Sequence, residues 1–299
     1  MTPLARILSS RDVRIALTGL GVVVLLGVLG PVLAPYDPLK QDPTALLQAP
    51  SAAHWLGTDY IGRDVLSRLL AGSTLSLVAA LEAVVIGMLL GVVPGLFSVY
   101  LSRPLEWISL RVADAVLALP FIVFAISFAA LLGNGLHQAM LAVGILIAPS
   151  FFRVTRAATS GLVHAQYIEA ADLLGASTWW IVTRHVWSKV APTVAVTAAS
   201  ALGGALLVVS SLTFLGIGVQ PPTPTWGGML ASDLRYLAQR PYGPIAPALL
   251  IMLTVGSLNL LADSLRDVFA LGSGLGARSR RAQTTIAPPT ERADHVTTS

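Results

Sequence analysis

The sequence has no cysteine and carries little charge for its length. Only 11% of its 299 residues are Asp, Glu, Lys or Arg, whereas about a quarter of the residues of a soluble domain are charged. The lack of cysteine excludes disulfides and thiolate metal sites. The net charge is only +4, and the basic residues are dispersed, so the composition argues against a nucleic-acid-binding protein.

Several patterns that mark catalytic sites are also missing. No GxxxxGK[ST] loop occurs, so we expect the chain not to bind ATP by such a loop. HExxH and GxSxG patterns are absent, and no cluster of polar groups suits an integral membrane enzyme. The histidines lack metal-ligand spacing; they are His54, His137, His164, His185 and His295. We therefore expect a chain without catalytic activity, cofactor or metal of its own.

Long apolar runs fill most of the chain, which is 55% hydrophobic with a mean hydropathy of +0.75. A helix needs about 20 apolar residues to cross a bilayer. We predict an all-α polytopic membrane protein with six transmembrane helices and a core over residues 75–271. The predicted spans are residues 15–34, 75–101, 112–132 with a break at Pro120, 138–152, 194–219 and 245–265.

The first apolar run has a second interpretation, a cleaved signal peptide. A signal peptide ends in a small-residue cleavage site. This run has none and ends among Pro31 and Pro35, so we favour a retained helix.

Basic residues divide unequally between the loops, and this division predicts the orientation. With both termini in the cytoplasm, only five of the 19 basic residues lie outside, namely Lys40, Arg63, Arg68, Arg235 and Arg240. Cytoplasmic loops carry the excess of Lys and Arg. We therefore expect residues 1–14 and a disordered tail, residues 272–299, in the cytoplasm. Residues 35–74 and 220–243 form long external segments in this orientation.

A long cytoplasmic loop, residues 153–193, is the strongest functional candidate. Its pattern predicts a helix over residues 165–174, then a short second helix from the N-cap Ser177, both lying at the membrane surface. The expected buried side is Ile168, Ala171 and Leu174, opposite Glu169 and Asp172, with Gly175 as the stop. Such a helix-turn-helix suits contact with a cytoplasmic partner, and the alternative is an interfacial helix without one.

This loop resembles the EAA loop of the permease subunits of bacterial ABC importers. The matching positions are Glu169, Ala170, Ala171 and Gly175, with His185 ten residues after the glycine. The end departs from the pattern, because Trp187 and Ser188 replace the usual Leu-Pro.

Membership of that family would imply a type I ABC importer permease fold in the bacterial cytoplasmic membrane. The loop would be a coupling helix seated in a groove of an ATPase subunit, with the small residues allowing close docking and Glu169 anchoring it. The implied partners are a paralogous permease in a heterodimer, two ATPase subunits that bind ATP and Mg²⁺, and an extracytoplasmic solute-binding protein. The implied mechanism is alternating access.

Three further segments resemble the C-type permease of the peptide/nickel branch. They are residues 54–77, 211–230 and 259–269, together with the LALP of residues 117–120. With the EAA loop, the resemblance covers residues 13–270. It implies short peptides as cargo, di- or oligopeptides, with nickel or a nickel chelate as the alternative.

Small and charged residues inside the apolar runs give further candidates. Gly87, Gly91 and Gly95 recur every four residues, which predicts close packing of another helix. Glu82 is an acid within an apolar run, and its candidate roles are a functional one and a hydrated or paired structural one. A secondary transporter would need more such charges or repeated halves, so we disfavour that class. We expect ion pairing or capping at Asp114, Asn259, Asp263, Arg266 and Asp267.

The two external segments hold candidates for gating or for docking a solute-binding protein. Asp59, Arg63 and Asp64 are expected in a compact turn that leads into a helix, where Asp64 favours the helix dipole. The alternative for them is a plain helix lead-in. The second segment has a stiff proline-rich link, and its candidates for docking are Pro221, Pro222 and Trp226.

Overall fold

A computed structural model describes residues 11–272, and its regular structure is helical throughout. Most of the predicted N-terminal segment and nearly all of the tail, residues 1–10 and 273–299, lie outside the described residues. The helices are α1 Arg11–Leu33, α2 Val65–Phe97, α3 Arg103–Leu117, α4 Phe121–Leu132, α5 Leu136–Ser160, α6 Gln166–Leu173, α7 Thr178–Ile181, α8 Trp187–Phe214, α9 Trp226–Arg235 and α10 Ile245–Gly272.

Five of the helices are long and apolar enough to cross a membrane. They are Val13–Leu33, Val65–Tyr100, Leu136–Ser160, Thr178–Phe214 and Ile245–Phe269. The pair α3 and α4 passes the same test as one span bent by 92°. Pro120 caps α4 at the bend, where its ring cannot continue the preceding helix. The prediction of an all-α membrane protein is confirmed, and the number of spans is six when the pair bent at Pro120 is counted as one.

Several predicted boundaries were wrong. The fifth span ends at Phe214 rather than at residue 219, so the second external segment begins at residue 215. Helix α2 begins at Val65 rather than at residue 75, so the segment predicted as residues 35–74 ends at residue 64. Its first turns mix polar and apolar residues, which lowers their hydropathy without breaking the helix. The loop predicted as residues 153–193 is shorter, because α5 extends to Ser160 and a continuous helical rod begins at Thr178.

Helices α2 and α5 form the centre of the bundle and run parallel. Gly87 faces Gly144, and Gly95 faces Phe152 and Thr155, so the contacts follow the same order along both helices. A Cβ on Gly95 would lie 2.9 Å from the Phe152 carbonyl oxygen. The glycine stripe therefore lets the two backbones meet directly, as small residues do between membrane helices.

The remaining long helices pack around this pair. Helix α1 lies against α2 and α10. The hydroxyl of Thr74 on α2 donates a hydrogen bond to the carbonyl of Gly27 on α1 at 2.5 Å. Helix α8 contacts α2, α5 and α10. At the end where α2 and α5 begin, residues 34–64 and 215–244 form a small lobe that includes α9, which we call the loop lobe. The opposite end carries α6.

We predict that Gly91→Ala destabilises the bundle. An added Cβ collides with the carbonyl oxygen of Ala148, and overpacking of this kind costs about 1–3 kcal/mol. The apparent melting temperature of the purified protein in detergent should fall by several degrees.

Gly204→Ala is the matched control, because a Cβ on this helical glycine meets no atom within 4 Å. Alanine is favoured over glycine in a helix by about 1 kcal/mol, so this variant should melt at or slightly above the wild-type temperature. Equal melting temperatures for the two variants would contradict the packing role of the stripe.

Candidate functional site

The short helix α6 and the turn after it lie at the end of the bundle opposite the loop lobe. Gly175 adopts a left-handed conformation with φ of 82°. Its N–H donates to the Asp172 carbonyl at 2.9 Å, and the Ala176 N–H donates to the Ala171 carbonyl at 3.1 Å. These bonds form a Schellman motif, which favours glycine at this position. Ser177 then caps α7 by accepting from the Trp180 N–H at 3.3 Å.

Only one side of α6 is buried. Ile168 faces the core, whereas Glu169 is exposed and lies 4.0 Å from the His164 ring nitrogen. Leu173 and Leu174 are 89% and 88% exposed. The expectation that Leu174 joins the buried side was wrong, because the chain turns away from the bundle at the end of the helix. Two adjacent apolar side chains therefore project from this end of the molecule.

Two aromatic contacts connect this segment to the long helices. Trp179 stacks on Phe97, at the end of α2, with ring centroids 5.6 Å apart. His185 contacts Trp180 edge-on at 4.9 Å and lies 6.1 Å from the Tyr167 ring. The second helix of the predicted helix-turn-helix is the beginning of a long rod. It runs from Thr178 through a π-helical segment, Val182–Val186, into α8.

The loop lobe is organised by a buried turn before α2. Asp64 caps the helix by accepting from the Ser67 N–H at 2.8 Å, and it pairs with His54 at 2.8 Å. Asp59 accepts from the Arg63 Nε at 2.7 Å, and its other oxygen accepts from the Arg63 and Ile61 backbone N–H groups. All three predicted residues of this turn are buried, so they offer no exposed docking surface in this conformation.

The second candidate group in the lobe divides between surface and core. Pro221 and Pro222 are exposed. Trp226 is fully buried, and its indole N–H donates to the Leu69 carbonyl at 3.2 Å. Trp226 therefore joins α9 to α2, while the two prolines lie at the surface of the lobe.

Ion pairs occupy most of the other charged positions singled out in the sequence, although none within residues 11–272 includes Asp267. Glu82 pairs with His137 at 2.8 Å, level with the beginning of α5. Asp114 pairs with Arg153 at 2.5 Å, which ties α3 to α5. Asp263 pairs with Arg266 at 3.2 Å. His137 was not identified from the sequence, because its partner lies on a different helix.

A residue near the beginning of α2 that joins this helix to the loop lobe was also missed. Arg68 is buried, and its Nη1 donates to the carbonyls of Pro38 at 3.1 Å and Pro222 at 3.3 Å. An arginine early in a run predicted to cross the membrane was the available signal. Within residues 11–272, no group of three or more His, Asp or Glu side chains is arranged to hold a metal ion.

Comparison with known proteins identifies the family of this chain. Residues 83–272 match the family described as binding-protein-dependent transport system inner membrane component. Residues 6–50 match the N-terminal TM domain of oligopeptide transport permease C. The resemblance to a C-type permease, drawn from the loop and three other segments, is confirmed by these matches. A secondary transporter and an integral membrane enzyme are therefore the wrong classes.

Curated relatives match over most of their length. A glutathione transport system permease protein, GsiD, of Pectobacterium atrosepticum is 38% identical over 252 residues, 83% of this chain and 84% of the relative. A probable D,D-dipeptide transport system permease protein, DdpC, of Escherichia coli is 36% identical over 83% of each chain. A di/tripeptide transport system permease protein, DppC, of Pseudomonas aeruginosa is 38% identical over 82% of this chain and 83% of the relative. The chain thus belongs to the family of inner membrane components of binding-protein-dependent transport systems, and it is a transport permease subunit.

Proposed function

We propose that this chain forms half of the translocation pathway of an ATP-driven importer of short peptides. The observation that carries the proposal is α6, a short helix with two exposed leucines that leads through a tight turn into a membrane-spanning rod. Its complex contains a paralogous permease, two ATPase subunits and a solute-binding protein. The family's description, a component of binding-protein-dependent transport, supports the last of these partners.

The orientation follows from where the charges lie. Placing α6 in the cytoplasm leaves five basic residues of the described chain at the external end. Three of them, Arg63, Arg68 and Arg240, are buried in the loop lobe. Only Lys40 and Arg235 are then exposed cations at the external end. The cytoplasmic side therefore carries the larger number of exposed Lys and Arg residues, as expected for cytoplasmic loops. Both termini are cytoplasmic in this arrangement.

Coupling to the ATPase subunits would run through α6. Leu173 and Leu174 supply the apolar surface for a groove in the ATPase, with Ala170 beside them allowing close approach. Glu169 is exposed for a charge-assisted hydrogen bond. Because Gly175 fixes the turn into the rod that ends in α8, displacement of α6 by the ATPases would move a membrane-spanning helix directly.

Transport then proceeds by alternating access. A loaded solute-binding protein docks on the loop lobe, where Pro221 and Pro222 are exposed. ATP and Mg²⁺, bound by the two ATPase subunits, close them and turn the pathway outward through the coupling helices. Hydrolysis returns it to the inward-facing state. This chain supplies no nucleotide-binding loop, so the reaction itself belongs to the partners.

The cargo is proposed from the relatives, whose names specify glutathione, a D,D-dipeptide and di/tripeptides. All three are short peptides with free carboxylates. Nickel, the alternative considered from the sequence, is not named for these three relatives.

We predict that the double variant Leu173→Asp/Leu174→Asp loses its ATPase subunits. Burying a leucine contributes about 1.5–3 kcal/mol, and a charge in its place has no partner in an apolar groove. The variant should insert normally in the membrane, but co-purification of the ATPases should fall at least tenfold. Leu46→Asp is the control, because Leu46 is an exposed leucine of the loop lobe. Wild-type ATPase recovery with the double variant would refute docking through α6.

We also predict which cargo depends on this gene. Cells lacking it should lose uptake of labelled dialanine, and the full-length chain should restore it. Uptake of labelled tetra-alanine measures the length preference, and uptake of ⁶³Ni²⁺ tests the alternative cargo. Loss of nickel uptake alone would reject peptides as the cargo and leave the fold and the coupling helix unchanged.

A further inference from the structure

A cavity of about 200 Å³ lies in the loop lobe between the beginning of α2, the end of α8 and α9. Three arginines line it, Arg63 and Arg68 from α2 and the turn before it, and Arg235 from α9. None of the residues that line it is acidic. The wall therefore carries three positive charges and no negative one.

Two of these arginines share a single carboxylate oxygen. Asp59 Oδ2 lies 2.7 Å from the Arg63 Nε and 3.5 Å from the Arg68 Nε. The side chains of Arg63 and Arg68 are only 3% and 8% exposed. Buried charges in proteins are paired, because an unpaired one is costly to remove from water. Because one carboxylate serves two buried guanidinium groups, one positive charge is not neutralised.

The other buried acids of the lobe do not remove this excess, because three buried arginines, Arg63, Arg68 and Arg240, have only Asp59 and Asp233 to balance them. Asp64 is used by His54 and by the cap of α2. Asp233 pairs with Arg240 at 3.4 Å. Burial raises the pKa of Asp233, while the charges of Arg240 and, more weakly, Arg68 oppose the shift, so this one carboxylate is shared between two buried arginines.

Arg63 presents unused donors to the cavity. Its hydrogen bonds to the described part of the chain leave from Nε and from the backbone N–H, both to Asp59. The two terminal nitrogens make none with residues 11–272, although the side chain is almost fully buried and lines the cavity. Free N–H donors along one edge of a guanidinium group match the two oxygens of a carboxylate.

The size and lining of the cavity favour a small ligand. Its volume of about 200 Å³ is more than ten times the ~10–15 Å³ that a cavity needs to hold one water molecule. Tyr60 and Tyr236, stacked at 5.0 Å, form part of its wall. A carboxylate with one or two small residues attached fits this space.

We propose that this cavity binds the terminal carboxylate of a short peptide, held by Arg63 with Arg68 and Arg235 completing the positive wall. The identification of the ligand as a peptide rests on the proposed function, whereas the carboxylate chemistry rests on the cavity alone. The site lies at the external end of the chain, so it would receive cargo before the pathway turns inward.

The test is equilibrium binding of labelled dialanine to the full-length chain in lipid nanodiscs, without any solute-binding protein. Saturable binding is expected, and dialaninamide, which lacks the carboxylate, should bind at least tenfold more weakly. Arg63→Gln should reduce dialanine affinity at least tenfold, equal to about 1.4 kcal/mol. Because that variant also breaks the pair with Asp59, Arg235→Gln is the second variant. Arg235 is exposed and outside the buried pair, and a three- to fivefold reduction is expected.

Lys40→Gln is the matched control, since Lys40 is an exposed cation of the same lobe that does not line the cavity. It should bind dialanine like the wild type. Absence of saturable dialanine binding, equal binding of dialaninamide, or unchanged affinity in both folded arginine variants would each overturn the proposal. A second result would also overturn the proposal. If free dialanine does not bind, but Arg63→Gln weakens docking of the peptide-free solute-binding protein, the cavity binds a carboxylate of that protein instead.

These outcomes are separable from failure of the proposed function. Cells that import dialanine through a chain that does not bind it in nanodiscs would reject only the cavity proposal. A chain that binds dialanine but is dispensable for peptide uptake would reject only the proposed cargo.

Discussion

Direct backbone contact between α2 and α5 is the constraint on which the rest of the structure depends. Gly87, Gly91 and Gly95 remove the side chains that would separate the two helices, and Gly144 does the same from α5. Because the helices run parallel, the beginning of α5 lies level with Glu82. Residues 65–81 of α2 therefore rise past α5, and this projecting part is the support on which the loop lobe is built.

The same helix joins the two functional ends. Helix α2 has 33 residues, which corresponds to about 50 Å at 1.5 Å per residue. At one end Trp226 donates to the Leu69 carbonyl, and at the other Phe97 stacks on Trp179. The loop lobe and the turn after α6 thus rest on one unbroken rod. A second rod, Thr178–Phe214, runs the other way from α6 back to the lobe.

Sequence patterns predicted the features that depend on local spacing. Gly87, Gly91 and Gly95 were identified because a four-residue repeat marks one helix face, and Gly175 because a helix needs a left-handed residue to end this way. The start of α2 was misplaced, because hydropathy measures contact with lipid, and a helix supported by a protein lobe can extend beyond it. Leu174 was misassigned, since periodicity shows which residues share a face and not whether that face is covered.

The contacts that depend on distant parts of the chain lay beyond prediction. Arg153 meets Asp114, and Arg156 donates to Glu106, across the gap between α5 and α3. These ion pairs matter because α3 has little else to hold it; among its described side chains Ala113 alone is buried. Because glycine holds the backbones of α2 and α5 together, we expect the bent pair α3 and α4 to be the part of the bundle that shifts most easily. The contact of α3 with α5 is thus small and largely polar, whereas separating the glycine interface of α2 and α5 would expose bare backbone to lipid.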